Sequence, residues 1–337
     1  MRILILKPSS LGDVVQAIPV LRLAKQHWPH ADIFWWLDAT LAPLLDGDPD
    51  LSGLFLFHRQ RWKSPLRWLE AFRSIRDMRR HRFDLVVDLQ ALARSAVLAR
   101  LTGATTSIGL EDYREAAPAF YDVRVPRRTY HTHAVDWYLD AVRALGAPVH
   151  NGFEWLPRRP AVAEKVENAA SAAPRWIALH PGARWLNKRW PAAHFANLVR
   201  LLADRLPETR FVLLGAGGDA VLTAEVAAAA PNKCLDLAGA TSLWEMIEWV
   251  RRSAVLVTND TGPMHVAAAL GRPVVAIFGP TEPRRTGPYG QIGYVLTAGL
   301  PCSPCMSSHC HLDKPIECLR AVSPERVATA VMARLAT

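Results

Sequence analysis

The sequence predicts an α/β protein built as two doubly wound domains, each a parallel sheet with helices on both faces. Three observations carry that prediction. Short runs of Val, Ile, Leu and Phe alternate with longer helical patterns along the whole chain, which is how repeated strand–helix–strand units read. The 337 residues exceed what one ordinary core organises and suit two. A stretch rich in proline and alanine interrupts the alternation before residue 175.

The strands of the first half are "RILILK", "ADIFWWL", "LFLFH", "DLVVDL" and "TSIGL". Those of the second are "RWIALH", "RFVLLG", "AVLVTND" and "PVVAIFG", with weaker candidates at "CLDLAG" and "YVLTA". The expected division is a domain over 1–155, a linker over 156–174, and a domain over 175–337 that carries a cysteine-rich segment at 302–318. In open α/β sheets ligands sit beyond the carboxyl ends of the strands, so the informative polar residues are those just after each strand.

Composition narrows the function classes. Forty basic residues against thirty-one acidic give a net charge of +9, a balance suited to an anionic partner such as a nucleotide, a nucleic acid, a phosphorylated glycan or an acidic membrane surface. The excess is concentrated between His58 and Arg82, where Arg59, Arg61, Lys63 and six further arginines are opposed only by Glu70 and Asp77. Most such runs are solvated helix faces with an aromatic side, here Trp62, Trp68 and Phe72, toward the core; the uneven sign favours an anion-facing surface. No apolar run approaches the ~18 residues of a bilayer-spanning helix. Lys7 interrupts the first apolar run too early for a signal peptide, so the cytoplasm is expected.

Four strand ends hold the candidate chemistry. In "KPSSLGDV", Ser9, Ser10 and Gly12 precede Asp13, with a helix expected to start about there. Asp13 is read equally well as a helix-capping carboxylate, which stabilises by ~0.5–2 kcal/mol, or as a base that takes a substrate proton. In "WIALHPGARWLNKRWP", the small-residue turn of Gly182 and Ala183 followed by Lys188 is a plausible phosphate cradle, while His180 alone reads more readily as structural. In "VTNDTGPMHVAAAL", Asp260, Thr261 and Gly262 form the turn into a helix that has His265 in its first turn, and that helix N-terminus suits an anion. Between them, "GAGGD" places Asp219 beyond another strand, where a carboxylate can hold ribose hydroxyls.

Together these stretches resemble the ADP-heptose:lipopolysaccharide heptosyltransferases, an inverting GT-B family. The likeness covers nearly the whole chain and rests on "SSLGD", "DLQALARSAVLA", "DYREAAPAFY" with "HTHAVD", "HPGARWLNKRWP", "GAGGD" and "NDTGPMHVAAALGRPVVAIFGPTEP". The "YREAAPAFY…HAVD" run is most similar to the first heptosyltransferase, whereas Gly182 and Ala183 are closer to the second. The resemblance implies two Rossmann-like domains facing a central cleft, the N-terminal one for the acceptor and the C-terminal one for the nucleotide sugar. It makes Asp13 the general base and Lys188 the group that neutralises the donor diphosphate. Asp260, Thr261, Gly262 and His265 would line the phosphate end, with backbone contacts at Gly182 and Ala183. Asp219 would hold the ribose, and Thr241 would lie at the adenine pocket. Ser9, Ser10, Gly12, Arg59, Arg61, Lys63, Gln90 and Arg114 would face the acceptor.

The partners so implied are ADP-heptose and a lipopolysaccharide inner-core acceptor, Kdo–lipid A or its heptosylated form, met by a peripheral protein at the inner face of the inner membrane. Transfer would need no cofactor, and no nucleic acid is expected. Cys302, Cys305, Cys310 and Cys318, spaced C-x2-C-x4-C-x7-C, suit a structural zinc or iron, with His309 or His311 as substitutes; reduced thiols, or a disulfide under oxidant, are the plain alternatives. Some members of the resembled family carry such segments and bind metal there. Two rival functions stand beside this one: heptose transfer to a protein such as an autotransporter, and non-catalytic binding of a nucleotide or nucleic acid.

Overall fold

The computed structural model describes residues 1–58 and 68–336, the side chains of Trp68 and Arg114 excepted. The chain divides into two compact units, Met1–Trp155 and Leu156–Thr337. Each contains one six-stranded parallel sheet.

In the first unit the strands are β1 (Arg2–Leu6), β2 (Asp32–Asp38), β3 (Gly53–Phe57), β4 (Leu85–Asp88), β5 (Thr106–Leu110) and β6 (Val123–Val125), in the order β3-β2-β1-β4-β5-β6. In the second they are β7 (Arg175–His180), β8 (Thr209–Leu213), β9 (Cys234–Asp236), β10 (Val255–Asn259), β11 (Val274–Ile277) and β12 (Val295–Leu296), in the order β12-β11-β10-β7-β8-β9. The two orders are the same winding. In each, the chain reverses direction across the sheet between the first and fourth strands, β1 beside β4 and β7 beside β10, and a crevice for a ligand opens at such a point.

The central strands are apolar throughout because helices cover both their faces. Ile3 to Leu6 of β1 and Ile177 to Leu179 of β7 are no more than 1% exposed. Helix Leu11–His27 packs on Ala134–Ala144 in the first unit. In the second, Ala192–Arg205 packs on both Ala220–Ala227 and Pro324–Leu335. The core there gathers Trp190, Phe195 and Phe211 with the valines and leucines of β7, β8 and β10. Burying each such side chain contributes about 1.5–3 kcal/mol. Four buried tryptophans have their polar atoms met: Trp35 donates its indole N–H to the Lys7 carbonyl, Trp137 to Val125, Trp176 to Ala170 and Trp190 to Val322, all at 2.8–3.0 Å.

Two charges are buried at the edge of the first unit. Arg22 is 6% exposed, forks onto both oxygens of Asp48 at 2.6 Å, reaches Asp50 at 2.6 Å, and donates to the carbonyls of Glu154 and Trp155. A planar guanidinium is the cation suited to such a bidentate, nearly dry pairing.

The structure differs from the sequence reading at three places. The segment 156–174, read as a linker, is helical over Pro160–Ala170 and packs in the second unit on helix Leu243–Arg252; Pro160 sits at the helix start, where its missing N–H costs nothing. The helix after β1 begins at Leu11 rather than about Asp13, with Ser10 as its N-cap. Strand β6 has only the three residues "VRV", and its exposed Val123 and Arg124 hide the usual alternation.

Gly109 in β5 lies against the Tyr121 ring, whose hydroxyl donates to the buried Asp88 carboxylate at 2.7 Å. A Cβ at 109 would stand 2.3 Å from that ring. Gly109→Ala is therefore expected to lower stability by about 1–3 kcal/mol, through overpacking and a weakened bond to Asp88. Denaturant unfolding at neutral pH checks this; an unchanged midpoint would show that Tyr121 moves without cost.

Candidate functional site

Beyond β1 the chain turns through Pro8, Ser9 and Ser10 into helix Leu11–His27. The Asp13 carboxylate accepts the Ser10 N–H at 2.8 Å and the Ser10 hydroxyl at 2.7 Å, a capping arrangement that fixes its rotamer. Its other oxygen stands 4.0 Å from the Lys7 ammonium, and its side chain keeps 42% of its exposure. Capping thus engages one oxygen of Asp13 while the group stays open to solvent. Gly12 beside it is buried, Ser9 half-buried and Ser10 exposed.

Lys7 was not singled out from the sequence, yet it anchors this end of the sheet. Its ammonium donates to the Leu89 carbonyl at 3.0 Å and lies 5.0 Å from the Tyr138 ring centre. Burial works against its charge, but Tyr138, Asp13 and Asp88 outweigh burial and raise its pKa. Lys7 thus presents a fixed positive charge to Asp13. Past β4, the Gln90 N–H donates to Asp88 at 2.8 Å, while its side-chain oxygen is buried with no hydrogen-bond partner among the described residues. Gln16, one turn beyond Asp13, likewise buries its amide nitrogen unpartnered. Two polar atoms left in this state near one strand-end crevice are suited to a polar ligand. Arg59, Arg61 and Lys63 lie outside the described residues. Arg114 belongs to the 3-10 turn Tyr113–Glu115, and its side chain lies outside the description.

In the second unit the turns after β7, β8, β9 and β10 converge. Asn259 ends β10, and its carboxamide accepts the Trp190 N–H at 2.9 Å while donating to the Pro181 carbonyl at 2.7 Å. That fixes the turn of Gly182 and Ala183 and the chain just past Lys188. The Lys188 ammonium meets the Asp260 carboxylate at 2.6 Å and lies 4.6 Å from the Trp185 ring centre. The same Asp260 oxygen accepts the Thr281 hydroxyl at 2.6 Å. Asp260 is 8% exposed, so it holds and orients Lys188 rather than facing an anion itself. Thr261 caps helix Gly262–Ala269, with His265 buried in its first turn.

Asp219, read as a ribose ligand, is engaged within its own turn: it accepts the Ala216 N–H at 3.1 Å and pairs with Arg189 at 3.4 Å. Arg189 in turn donates to the Ala183 carbonyl at 2.8 Å. Gly182 is what permits this, because a Cβ there would stand 2.6 Å from the Asp219 carboxylate. Gly239, at φ +72°, brings its backbone against Gly217, with 2.8 Å between the position of its missing Cβ and the Gly217 Cα; this sets half-buried Thr241 two residues beyond the contact. Arg189 and Thr281 were missed because nothing in their own stretches of sequence shows that one reaches Asp219 and the other Asp260.

His180 ends β7 with its Nδ1 buried and without a hydrogen-bond partner among the described residues. Burial holds its imidazole below the usual 6.5.

Cys302, Cys305, Cys310 and Cys318 line one cavity of about 110 Å³ with Asn187. Burial, then the neighbouring Cys302, Cys310 and Cys305, push the Cys318 thiol up. Asn187 donates to the Ser307 carbonyl at 2.9 Å, which ties this loop to the Lys188 turn. All the cysteines are free thiols, and among the described residues no group of three or more His, Cys, Asp or Glu side chains has the arrangement of a metal site. The four cysteines singled out in the sequence are thus brought to one cavity.

Residues 71–316 match the model of glycosyltransferase family 9 (heptosyltransferase). The chain is 30% identical to lipopolysaccharide heptosyltransferase 1 of Pseudomonas aeruginosa, over 99% of this chain and 98% of that one. It is 28% identical to lipopolysaccharide heptosyltransferase 2 of Escherichia coli, over 86% and 85%. Among solved structures, that of E. coli ADP-heptose lps heptosyltransferase II superposes with a TM-score of 0.78 at 25% identity, covering 100% of this chain and 99% of that one.

The buried His180 gives a pH expectation. Its folded pKa lies below its unfolded value, so in the window below pH 6.5 the unfolded chain binds the proton that the folded chain refuses. Its contribution to stability is complete above 6.5 and is lost as pH falls. Unfolding of His180→Gln between pH 7.5 and 5 should show a shallower acid decline than the parent; identical slopes would mean that His180 charges freely in the fold.

Proposed function

The chain belongs to glycosyltransferase family 9, the heptosyltransferases, and from that premise we infer how its two strand-end crevices divide the work. It is an ADP-heptose-dependent glycosyltransferase that moves heptose onto the lipopolysaccharide core. We propose that the first unit binds the acceptor and the second the nucleotide sugar. The single observation that carries the donor assignment is the Lys188 ammonium, oriented by Asp260 and Thr281 beside the N-terminus of helix Gly262–Ala269.

In the proposed mechanism Asp13 accepts the proton of the acceptor hydroxyl as that oxygen bonds to the anomeric carbon of heptose. The bond from that carbon to the ADP oxygen breaks, and its electron pair leaves with ADP. Attack opposite the leaving group inverts the anomeric configuration, and no enzyme nucleophile is needed. Lys188 and the backbone N–H groups at the Gly182 and Gly262 turns meet the charge that develops on the diphosphate. Lys7 faces Asp13 as a buried cation 4.0 Å away. Gly182 and Ala183 supply backbone rather than side-chain contacts. Asp219, held by Arg189, shapes the nucleoside side with Thr241. Ser9, Ser10, Gly12 and Gln90 surround the acceptor hydroxyl, with Gln90 supported by its unpartnered buried oxygen.

The acceptor proposed is Kdo–lipid A or its heptosylated product, a reading supported by full-length similarity to a heptosyltransferase 1. Peripheral attachment at the inner face of the inner membrane is the location proposed, supported by the lipid nature of that acceptor and the basic segment of Arg59, Arg61, Lys63 and Arg114. Among the described residues no helix is long and apolar enough to cross a membrane. The four cysteines are proposed as a structural element that would hold zinc or iron, supported by their convergence on one cavity next to the Lys188 turn. Metal content of the purified protein, before and after Cys302→Ser with Cys305→Ser, tests this; metal-free protein of full stability would end it.

The function is tested by ADP release from ADP-heptose with Kdo2–lipid A, with its heptosylated product, or with neither. Release with one acceptor only is expected. Asp13→Asn should keep ADP-heptose affinity and lose turnover by ~10²–10⁴-fold. Near-normal turnover would reduce Asp13 to a helix cap, and no release with either acceptor would overturn the acceptor assignment.

A further inference from the structure

At the opposite end of the second sheet from the donor turns, where its strands begin, lies a cavity of about 390 Å³. Arg175 opens β7, Ser253 and Ala254 precede β10, and Arg272 precedes β11, so three strand beginnings form its floor. Helices Pro160–Ala170 and Leu243–Arg252 wall it, contributing Glu167, Arg251 and Arg252, and Arg158 lies at its rim. The six residues of β7 separate it from the Gly182 turn by about 17 Å of strand.

Five guanidinium groups meet only two carboxylates here. Glu248 pairs with Arg251 at 3.2 Å, and Glu167 with Arg252 at 3.2 Å. Arg158, Arg175 and Arg272 have no carboxylate partner among the described residues, which leaves an excess of three positive charges in one concavity. Arg272 is half-buried, and its side chain takes part in no hydrogen bond or ion pair among the described residues. Burial and then the nearby Arg251 and Arg252 lower its pKa, so its charge is held there at a cost. An anion that bridges these groups removes that cost. Guanidinium forks match the tetrahedral oxygens of a phosphoryl group, which accept two parallel N–H bonds. The volume is that of a small-molecule pocket and exceeds what a single ion fills.

We propose that this cavity is a binding site for a phosphoryl-bearing anion, separate from the donor site, held by Arg158, Arg175 and Arg272 with Arg251 and Arg252 behind them. Two sources supply that chemistry: a soluble diphosphate, or the phosphate headgroup of an acidic phospholipid. The reading does not depend on the transfer mechanism.

Inorganic pyrophosphate titrated calorimetrically into the full chain, with the donor site saturated by ADP and at about 0.15 M salt, tests it. Saturable binding is expected, weakened about tenfold or more in Arg175→Gln/Arg272→Gln, with ADP affinity unchanged as the control for folding. Arg158→Gln, at an exposed position, should weaken it in the same direction. In a parallel arm the chain is sedimented with phosphatidylglycerol or phosphatidylcholine vesicles. Retention on the first alone, lost in the double variant and competed by pyrophosphate, identifies a lipid headgroup; pyrophosphate binding without that retention identifies a soluble ligand. No saturable binding of either probe, or equal binding by parent and double variant, overturns the proposal.

Discussion

The strand-end turns of the second unit depend on one carboxamide. Asn259 is fully buried at the end of β10, and it uses its oxygen on the Trp190 N–H and its nitrogen on the Pro181 carbonyl. Those two bonds join three parts of the chain that the sheet alone would leave adjacent but unregistered: the turn after β7, the end of β10, and the segment leading out of Lys188. Buried amides are expensive when half-used, so full satisfaction makes this arrangement single-valued. With it set, Gly182 can lie against Asp219, and Lys188 can reach Asp260 across 72 residues of sequence.

Each unit pairs a lysine with an aspartate at its switch point, in opposite sense. In the first, Lys7 is buried and Asp13 is the exposed member. In the second, Asp260 is buried and Lys188 is the more exposed, at 18% against 8%. The buried partner orients the other, and the outward group is a carboxylate in one unit and an ammonium in the other. The proposed roles, proton removal in the first unit and stabilisation of a departing diphosphate in the second, would use that division.

Much of this was legible because parallel sheets write themselves as continuous apolar runs, and eleven of the twelve strands were readable on that basis. The rest depended on contacts too distant or too short for pattern reading. Strand β6 has three residues, two of them exposed. The helix at 160–170 is made of prolines, alanines and charges that equally describe a loop, and packing on helix Leu243–Arg252 decides it. The residues after the strands were found because the winding tells where to look, but their partners were not. Nothing near Arg189 or Thr281 in the sequence announces that one holds Asp219 and the other Asp260.

Arg22 has a consequence for anyone who divides the gene. Its guanidinium, on the first helix, is nearly dry, and two of its donors end on the carbonyls of Glu154 and Trp155, the last residues of the first unit. A fragment cut at residue 150, where the final helix has already finished, would look complete by its secondary structure. It would nonetheless strip those acceptors from a group that cannot shed its charge, while Asp48 and Asp50 still hold it inside. The chain's first helix and the residues that close the unit are one structural element, and the useful place to cut lies after both.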